Sequence, residues 1–194
     1  MSAPARVVVG LSGASGAAIG LRVVELLARE VGAEVHLVVT RAAERTVAHE
    51  AGASALARIE ALARRHAIDD VGAPVASGSF RTAGMIVAPC SMHTLSAIAT
   101  SHAENLLLRA ADVQLKERRP LVLVARETPL HLGHIRLMAA ATEIGAIVAP
   151  PVPAFYLQPR TVEEIVDQTA RRVVDLLALT PAPLARAWTG APGA

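Results

Sequence analysis

A glycine-rich segment near the start of the chain could bind an anion. Residues 10–20 (GLSGASGAAIG) follow an apolar run, and Gly13 and Gly16 would let backbone N–H groups approach a phosphate at a helix N-terminus. Ser12 and Ser15 could add hydroxyl contacts. The pattern is neither GxGxxG nor a P-loop with its lysine, so an ordinary dinucleotide or ATP site is disfavoured. A tight turn packed with small residues is the alternative explanation.

Further hydroxyl groups follow two other apolar runs. Residues 89–94 (PCSMHT) offer Ser91 as a helix cap and Thr94 three residues later, and Thr40 stands just past the run 34–39. Ligands of doubly wound α/β proteins bind at the carboxyl ends of the strands, so we expect these hydroxyls and the glycine turn to share one crevice. Simple helix capping is the other explanation.

The basic residues are almost all arginine, with Lys116 as the only lysine. Arg109, Asp112 and Lys116 share one face of a predicted helix, which usually means a solvated charged face. A compact, mobile ammonium at an anion site would also explain the retained lysine.

Helical spacing places Arg172 in the apolar stripe of the last predicted helix, together with Ile165 and Leu176, whereas Arg171 points away. A buried Arg172 would need an anionic partner, because an unpaired buried charge is costly. The alternative is an internal salt bridge, or an Arg172 side chain that extends to solvent from the edge of the stripe.

Other polar side chains stand near predicted strand ends. Arg126 and Glu127 follow the run 121–125, and Tyr156, the only tyrosine, follows a proline-rich loop after the last strand. These side chains supply cations, a phenol and a glutamate, and the sequence shows no acidic metal-binding cluster. This set of groups suits binding and reaction of a phosphate ester without a metal.

Neither the histidines nor the cysteine indicate a metal or nucleophile site. His131 and His134 have a spacing that can ligate zinc, but no third ligand is evident, so we expect no metal. Cys90 lacks a recognisable histidine and acid partner, and we expect it to be a small core or crevice residue.

Composition excludes several classes of protein. The 194 residues are 53% hydrophobic, with four aromatic residues and a formal net charge of +2. The absence of a long basic run argues against nucleic-acid binding, and the absence of a long apolar run argues against a membrane span. A single cysteine excludes an internal disulfide. We therefore expect a cytoplasmic globular protein, and its mean hydropathy of +0.42 suggests apolar surface buried between subunits.

Buried strands and helices alternate along the chain. Strands are predicted at 6–11, 34–39, 85–88, 121–125 and 146–148. Helices are predicted at 16–30, 41–50, 54–66, 92–101, 105–117, 132–143 and 161–178. This order predicts a three-layer, doubly wound α/β fold of the Rossmann-like (flavodoxin-like) type with a mainly parallel sheet. We predict one domain over 1–194, with a tail from about 180 that packs only around Trp188. Residues 72–84 form an ordered functional loop or a mobile flap.

Several motifs together resemble one family. The segments GLSGASGAAIGLR, ASGSF, PCSMHTLSAIA, RAADVQLKERRPLVLVARETPLHLGHIRLM and GAIVAPPVPAFY are similar to those of UbiX-type flavin prenyltransferases, in register over about 6–188. The resemblance implies transfer of a dimethylallyl group from dimethylallyl monophosphate to N5 and C6 of reduced FMN, without a metal. The prenylated flavin would serve a UbiD-type decarboxylase, and the chain would form a homo-oligomer, by resemblance a dodecamer, with sites between subunits.

The resemblance also implies roles for individual residues. FMN would be bound by Gly13, Ala14, Ser15, Thr40, Ser91, Met92, His93, Thr94 and Arg126. The prenyl phosphate would be bound by Arg109, Lys116, Tyr156 and Arg172. Catalytic roles would belong to Ser15, Glu50, Lys116, Glu127 and Tyr156, with Glu50 assisting proton steps near the flavin. Val71 stands where some relatives have tryptophan, which bears on the shape of the prenyl pocket.

Three other functions fit the same broad fold. A flavin-dependent cysteine decarboxylase usually carries a PASANT-like segment, which is PCSMHT here. A direct aromatic-acid decarboxylase would need a carboxylate site separate from the phosphate cations, and none is evident. A non-catalytic flavin carrier would not need Lys116, Glu127, Tyr156 and Arg172 together.

Overall fold

Consecutive apolar residues make the central strands buried on both faces of one parallel sheet. The computed structural model describes residues 3–190. Its strands are β1 (Arg6–Leu11), β2 (Glu34–Val39), β3 (Arg64–His66), β4 (Gly84–Cys90), β5 (Leu121–Ala125) and β6 (Ile147–Val148). They pair in the order β3-β2-β1-β4-β5-β6, and every pair is parallel.

Helices cover both faces of this sheet. They are α1 (Ala17–Leu26), α2 (Arg41–Ala51), α3 (Ala55–Glu60), α4 (Met92–Ala99), α5 (Leu106–Lys116), α6 (Leu132–Glu143) and α7 (Val162–Asp175). One apolar core joins the sheet to α1 and α7, and the other joins it to α4 and α5. The predicted three-layer, doubly wound α/β fold is confirmed.

The strand order reverses between β1 and β4, which creates a crevice at their carboxyl ends. The hydroxyl of Ser12 is buried there and joins the loops that follow the two strands. It donates to Pro89 O at 2.9 Å and accepts from Ser91 N at 2.7 Å. The expectation that Ser12 contacts an anion is therefore wrong, because both hydrogen bonds of its hydroxyl are internal.

One predicted helix is shorter than expected and hides a strand. The expected helix over 54–66 ends at Glu60, and Arg64–His66 instead pairs with β2. The His66 ring stacks on His36 of β2 at a centroid distance of 5.2 Å, and His36 Nδ1 lies 2.9 Å from His66 Nε2. Pairing with β2 thus outweighs the helical pattern of the sequence.

The loop and tail are held by specific contacts. Residues 72–84 include a 3₁₀ turn at Pro74–Ala76 with Val75 and Ala76 buried. The prediction that the tail packs only around Trp188 is wrong. The backbone N–H groups of Leu184 and Ala185 also donate to the carboxylate of Asp175 on α7. No helix within residues 3–190 has the length and apolarity needed to cross a membrane.

Candidate functional site

Three helices begin at one cavity beside the β1–β4 crevice. Thr40, Ser91 and Asn105 are the N-caps of α2, α4 and α5, and each side chain accepts a hydrogen bond from a backbone N–H of its helix. All three line a cavity of about 360 Å³. Because a helix N-terminus carries partial positive charge, the convergence of three favours an anion such as a phosphate.

The rest of the cavity lining suits the same ligand. It contains no carboxylate and consists of Gly13, Ala42, His93, Thr94, Leu107 and Leu108. A Cβ on Gly13 would lie 2.4 Å from the Cβ of Ala42, so only glycine lets this turn approach α2 so closely. The structure therefore brings together Gly13, Thr40, Ser91, His93 and Thr94, as the sequence predicted.

Asn105 lines the cavity but is absent from the set of site residues predicted from the sequence. Its position indicates a cap, because asparagine directly before an apolar helical run is a favoured N-cap. Its side chain accepts from Leu108 N at 3.1 Å. Two other predicted FMN ligands of this region are buried. Ala14 lies in the glycine-rich turn, and Met92 lies in the first turn of α4.

The N-terminus of α1 is already occupied by a carboxylate. Glu50 Oε2, at the end of α2, accepts from Gly16 N at 3.0 Å and from Ala17 N at 2.8 Å. Burial opposes ionisation of this group, but hydrogen bonds from the Ser15 hydroxyl and from these two N–H groups, with the nearby charge of Arg126, lower its pKa. An incoming phosphate is therefore better received at α2, α4 and α5 than at the glycine turn.

Replacement of Glu50 with alanine should destabilise the fold in a pH-dependent way. Because the pKa is lower in the folded chain than its ordinary 4.5, the contribution of the carboxylate is full above about pH 5 and is lost as the pH falls through the folded-state pKa. We expect Glu50→Ala to cost about 1 kcal/mol at pH 7, and much less at pH 3. Urea unfolding at both pH values measures this, with Glu143→Ala, an exposed glutamate at the end of α6, as control. An equal cost at both pH values would contradict it.

Arg126 and Glu127 follow β5 at the same edge of the sheet. Arg126 N donates to Cys90 O at 3.1 Å, which places Arg126 beside the segment that begins α4. The Arg126 side chain is exposed and close enough to Glu50 to influence its pKa. Glu127 is also exposed, and its Oε1 accepts from Thr128 N at 2.9 Å.

A second, larger cavity lies beyond β6. It has a volume of about 770 Å³, and Tyr156, Arg172, Arg186 and Trp188 line it together with polar and apolar residues of β6, α7 and the tail. Asp175 also lines it, but both of its carboxylate oxygens accept hydrogen bonds from the backbone of the tail. The rings of Tyr156 and Trp188 meet edge to face at 5.4 Å. A cation and a phenol on an apolar wall can hold a small phosphate ester whose organic part is apolar.

The predicted burial of Arg172 is wrong. The buried face of α7 consists of Ala170, Val173 and Val174, so Arg172 lies at the edge of the stripe and is exposed to the cavity. Arg171 does not point away from the protein. It pairs with Asp167 one turn earlier on α7 and with Glu30 of the π-helical segment Leu27–Val31, so the Glu30 pair joins α7 to the segment that follows α1.

Arg109 and Lys116 are not in either cavity within one chain. Arg109 pairs with Asp112 at 2.7 Å and donates to Ala76 O, and Lys116 pairs with Glu117 at 2.6 Å. Leu107 lines the first cavity, and Lys116 lies nine positions further along α5, a helical rise of about 13 Å. One chain therefore does not form the predicted crevice that would hold all of these cations, because Arg109 and Lys116 line neither cavity.

The histidine pair and the cysteine have structural surroundings. His131 caps α6, and its Nδ1 accepts from Gly133 N and His134 N. Over residues 3–190 there is no cluster of three or more histidine, cysteine or acidic side chains placed to hold a metal ion. Cys90 is completely buried, as expected for a core residue, and burial raises the pKa of its thiol.

Comparisons with known proteins agree with this geometry. A family model described as Flavoprotein matches residues 1–174. Flavin prenyltransferase UbiX of Thauera aromatica is 55% identical over 186 residues, covering 95% of this chain and 94% of that protein. The crystal structure of AnUbiX (PadA1) in complex with FMN and dimethylallyl pyrophosphate has a TM-score of 0.89 at 44% identity, covering 97% of this chain and 99% of that chain.

A second solved structure is as similar. A dodecameric FMN-dependent UbiX-like decarboxylase from Escherichia coli O157:H7 has a TM-score of 0.89 at 43% identity, covering 95% of this chain and 100% of that chain. The Flavoprotein family model covers most of the chain, so the chain belongs to that family. Within it, identity above 50% over nearly the whole length shows that the chain belongs to the UbiX flavin prenyltransferases.

Proposed function

We propose that this chain transfers a dimethylallyl group from dimethylallyl monophosphate to N5 and C6 of reduced FMN. The allylic C–O bond breaks and inorganic phosphate leaves, and the C–N bond replaces the N5–H bond. The prenyl double bond then takes up a proton, and C6 loses its hydrogen as a proton when the C–C bond closes a fourth ring on the flavin. The observation that carries the proposal is the cavity lined by the N-caps Thr40, Ser91 and Asn105, whose lining holds no carboxylate.

FMN fits the residues present at this cavity. Its phosphate would be held by Thr40, Ser91, His93 and Thr94, and Gly13 keeps the turn close to α2. When bound, the reduced flavin supplies the nucleophilic N5 and C6 and an electron-rich ring, which a chain with four aromatic residues does not otherwise provide. Arg126, Ser15 and Glu50 lie along the same edge and would contact the flavin.

Glu50 is placed to manage protons. Its lowered pKa keeps the carboxylate ionised at neutral pH, so in the resting chain it acts as a base rather than an acid. The hydroxyl of Ser15 lies close enough to it to lower its pKa, and would relay a proton between the carboxylate and a bound ligand. We assign the proton transfers of the reaction to this pair.

The prenyl phosphate would be held by fixed cations and a phenol. Arg172 and Tyr156 line the second cavity, and their donors stabilise the charge that develops on a leaving phosphate without a metal ion. Arg109, Lys116 and Glu127 complete the site in our proposal. The apolar wall of the same cavity accommodates the dimethylallyl group.

We further propose that the chain works as a homododecamer with each site between chains. Lys116 lies about 13 Å along α5 from the first cavity of its own chain, so a neighbouring chain brings it to the flavin most directly. Large apolar side chains are exposed around α6 and the 150–162 segment, including Leu132, Phe155 and Val162. The dodecameric relative supports this state. Native mass spectrometry tests it, and a stable active monomer would contradict it.

The product would pass to a UbiD-type decarboxylase, and we propose that both proteins act in the cytoplasm. The deciding experiment is anaerobic incubation with FMN, reductant and dimethylallyl monophosphate, followed by mass spectrometry of the flavin. We expect a flavin heavier by one dimethylallyl group, and none without reductant. A parallel reaction with the diphosphate defines the donor. An unchanged flavin mass with FMN bound would overturn the proposal in favour of a carrier.

A further inference from the structure

The single lysine belongs to a charged row at the end of α5. Lys116 Nζ donates to Glu117 Oε1 at 2.6 Å, and Glu117 Oε2 lies 3.7 Å from a guanidinium nitrogen of Arg119. Lys116 is exposed, whereas the side chain of Arg119 is only 16% exposed. The row therefore runs from a half-buried guanidinium, through a carboxylate, to an ammonium at the surface.

Arg119 connects this row to the 72–84 loop. Its guanidinium donates to Gly78 O at 2.7 Å and to Phe80 O at 3.0 Å, and it approaches Thr82 Oγ1 at 3.4 Å. Thr82 in turn donates to Gln114 Oε1 of α5 at 2.8 Å. A planar guanidinium can bridge several carbonyl groups in this way, which a lysine ammonium cannot do with the same geometry.

The loop also closes over the ammonium itself. A Cβ on Gly78 would lie 2.2 Å from Glu117 Oε1 and 2.6 Å from Lys116 Nζ. The backbone of Gly78 is therefore in contact range of both charged ends, and any larger residue would displace them. Both neighbours are flexible side chains, so a substitution would move the charges without breaking the fold.

We propose that Arg119 and Gly78 are positioning residues for the prenyl-phosphate site. Arg119 fixes the loop through the Gly78 and Phe80 carbonyls, and the loop and Glu117 together hold the Lys116 ammonium in one place. This inference rests on the proposed function, which assigns a phosphate to Lys116. A long lysine side chain loses conformational entropy when it binds an anion, and prior ordering reduces that loss.

The first test compares two neighbouring arginines that lose the same charge. We expect Arg119→Gln to raise the KM for dimethylallyl monophosphate about tenfold, while FMN affinity stays at the wild-type value. Arg118→Gln is the matched control, since Arg118 is exposed, and it should leave KM unchanged. Arg119→Lys, which keeps the charge without the planar fork, should recover part of the loss.

The second test uses Gly78→Ala, which keeps all charges. We expect unchanged thermal unfolding and FMN affinity, with the donor KM raised about fivefold. A KM equal to that of wild type in folded Arg119→Gln and Gly78→Ala would overturn the inference. The inference would also be overturned if these variants kept the wild-type KM and lost kcat only in proportion to their unfolded fraction. That result would indicate a structural role alone. Failure of wild type to make prenylated flavin would instead overturn the proposed function, so the two failures are distinguishable.

Discussion

Replacing Arg172 with alanine should lower kcat/KM for dimethylallyl monophosphate by roughly 10- to 150-fold, equivalent to about 1.5–3 kcal/mol for a lost hydrogen bond to a charged group. The guanidinium lines the second cavity with Tyr156 and is exposed to it, so the substitution removes an anion contact without leaving a buried charge. Steady-state kinetics under anaerobic conditions measure this effect. FMN binding should be unchanged, because Arg172 is not in the lining of the first cavity.

Two comparisons make the Arg172 result specific. Arg29→Ala removes an exposed arginine of the π-helical segment Leu27–Val31 and should leave kcat/KM unchanged. Tyr156→Phe should weaken donor use in the same direction as Arg172→Ala, since both side chains line one cavity. A fall in FMN affinity as large as the fall in kcat/KM would show that Arg172 serves the flavin instead of the donor.

Replacing Gly20 with alanine should destabilise the fold by about 2–4 kcal/mol. Gly20 packs α1 against β4, and a Cβ there would lie 2.0 Å from Ala88 O and 3.0 Å from Ala88 C. These are backbone atoms of a central strand, so relief requires movement of α1 or β4. Alanine gains about 1 kcal/mol of helix propensity, which does not offset the overlap. Urea unfolding measures the loss.

FMN affinity should fall with stability in the Gly20 variant. Ala88 lies next to Pro89, whose carbonyl accepts the hydroxyl of Ser12, and Ser12 in turn holds Ser91. Gly72→Ala is the control, because its added Cβ would meet only Asp70 Oδ1, at 3.5 Å, which is an ordinary van der Waals distance. Unfolding of Gly20→Ala at the wild-type urea concentration would contradict the expected clash.

The alternation of apolar runs and amphipathic segments was sufficient to predict most of the fold. The bounds of β1, β2 and β5 are as predicted, and β4 is longer by one residue at its start and two at its end. These strands are long and apolar, so their local pattern and their buried environment agree. The three-residue β3 could not be predicted, since Arg64 and Arg65 carry no strand pattern and the strand forms only by pairing with β2.

The residues of the anion cavity could be predicted better than their geometry. Thr40, Ser91 and Thr94 were expected at strand ends, and the structure places them around one cavity. The carboxylate of Glu50 at the N-terminus of α1 was not predicted, because Glu50 is 33 residues from Ala17 in the chain. That contact moves the expected phosphate position from the glycine turn to α2, α4 and α5.

The sequence by itself determined the fold class, the family and the set of chemical groups, because periodicity, cap residues and motifs are local properties of the chain. Only the tertiary structure decided which groups share a site. It separates Lys116 from the first cavity by most of the length of α5, and it exposes Arg172 while pairing Arg171 with Glu30 and Asp167. The reason is physical: the position of a charge depends on the packing of whole helices, and residues distant in the chain set that packing.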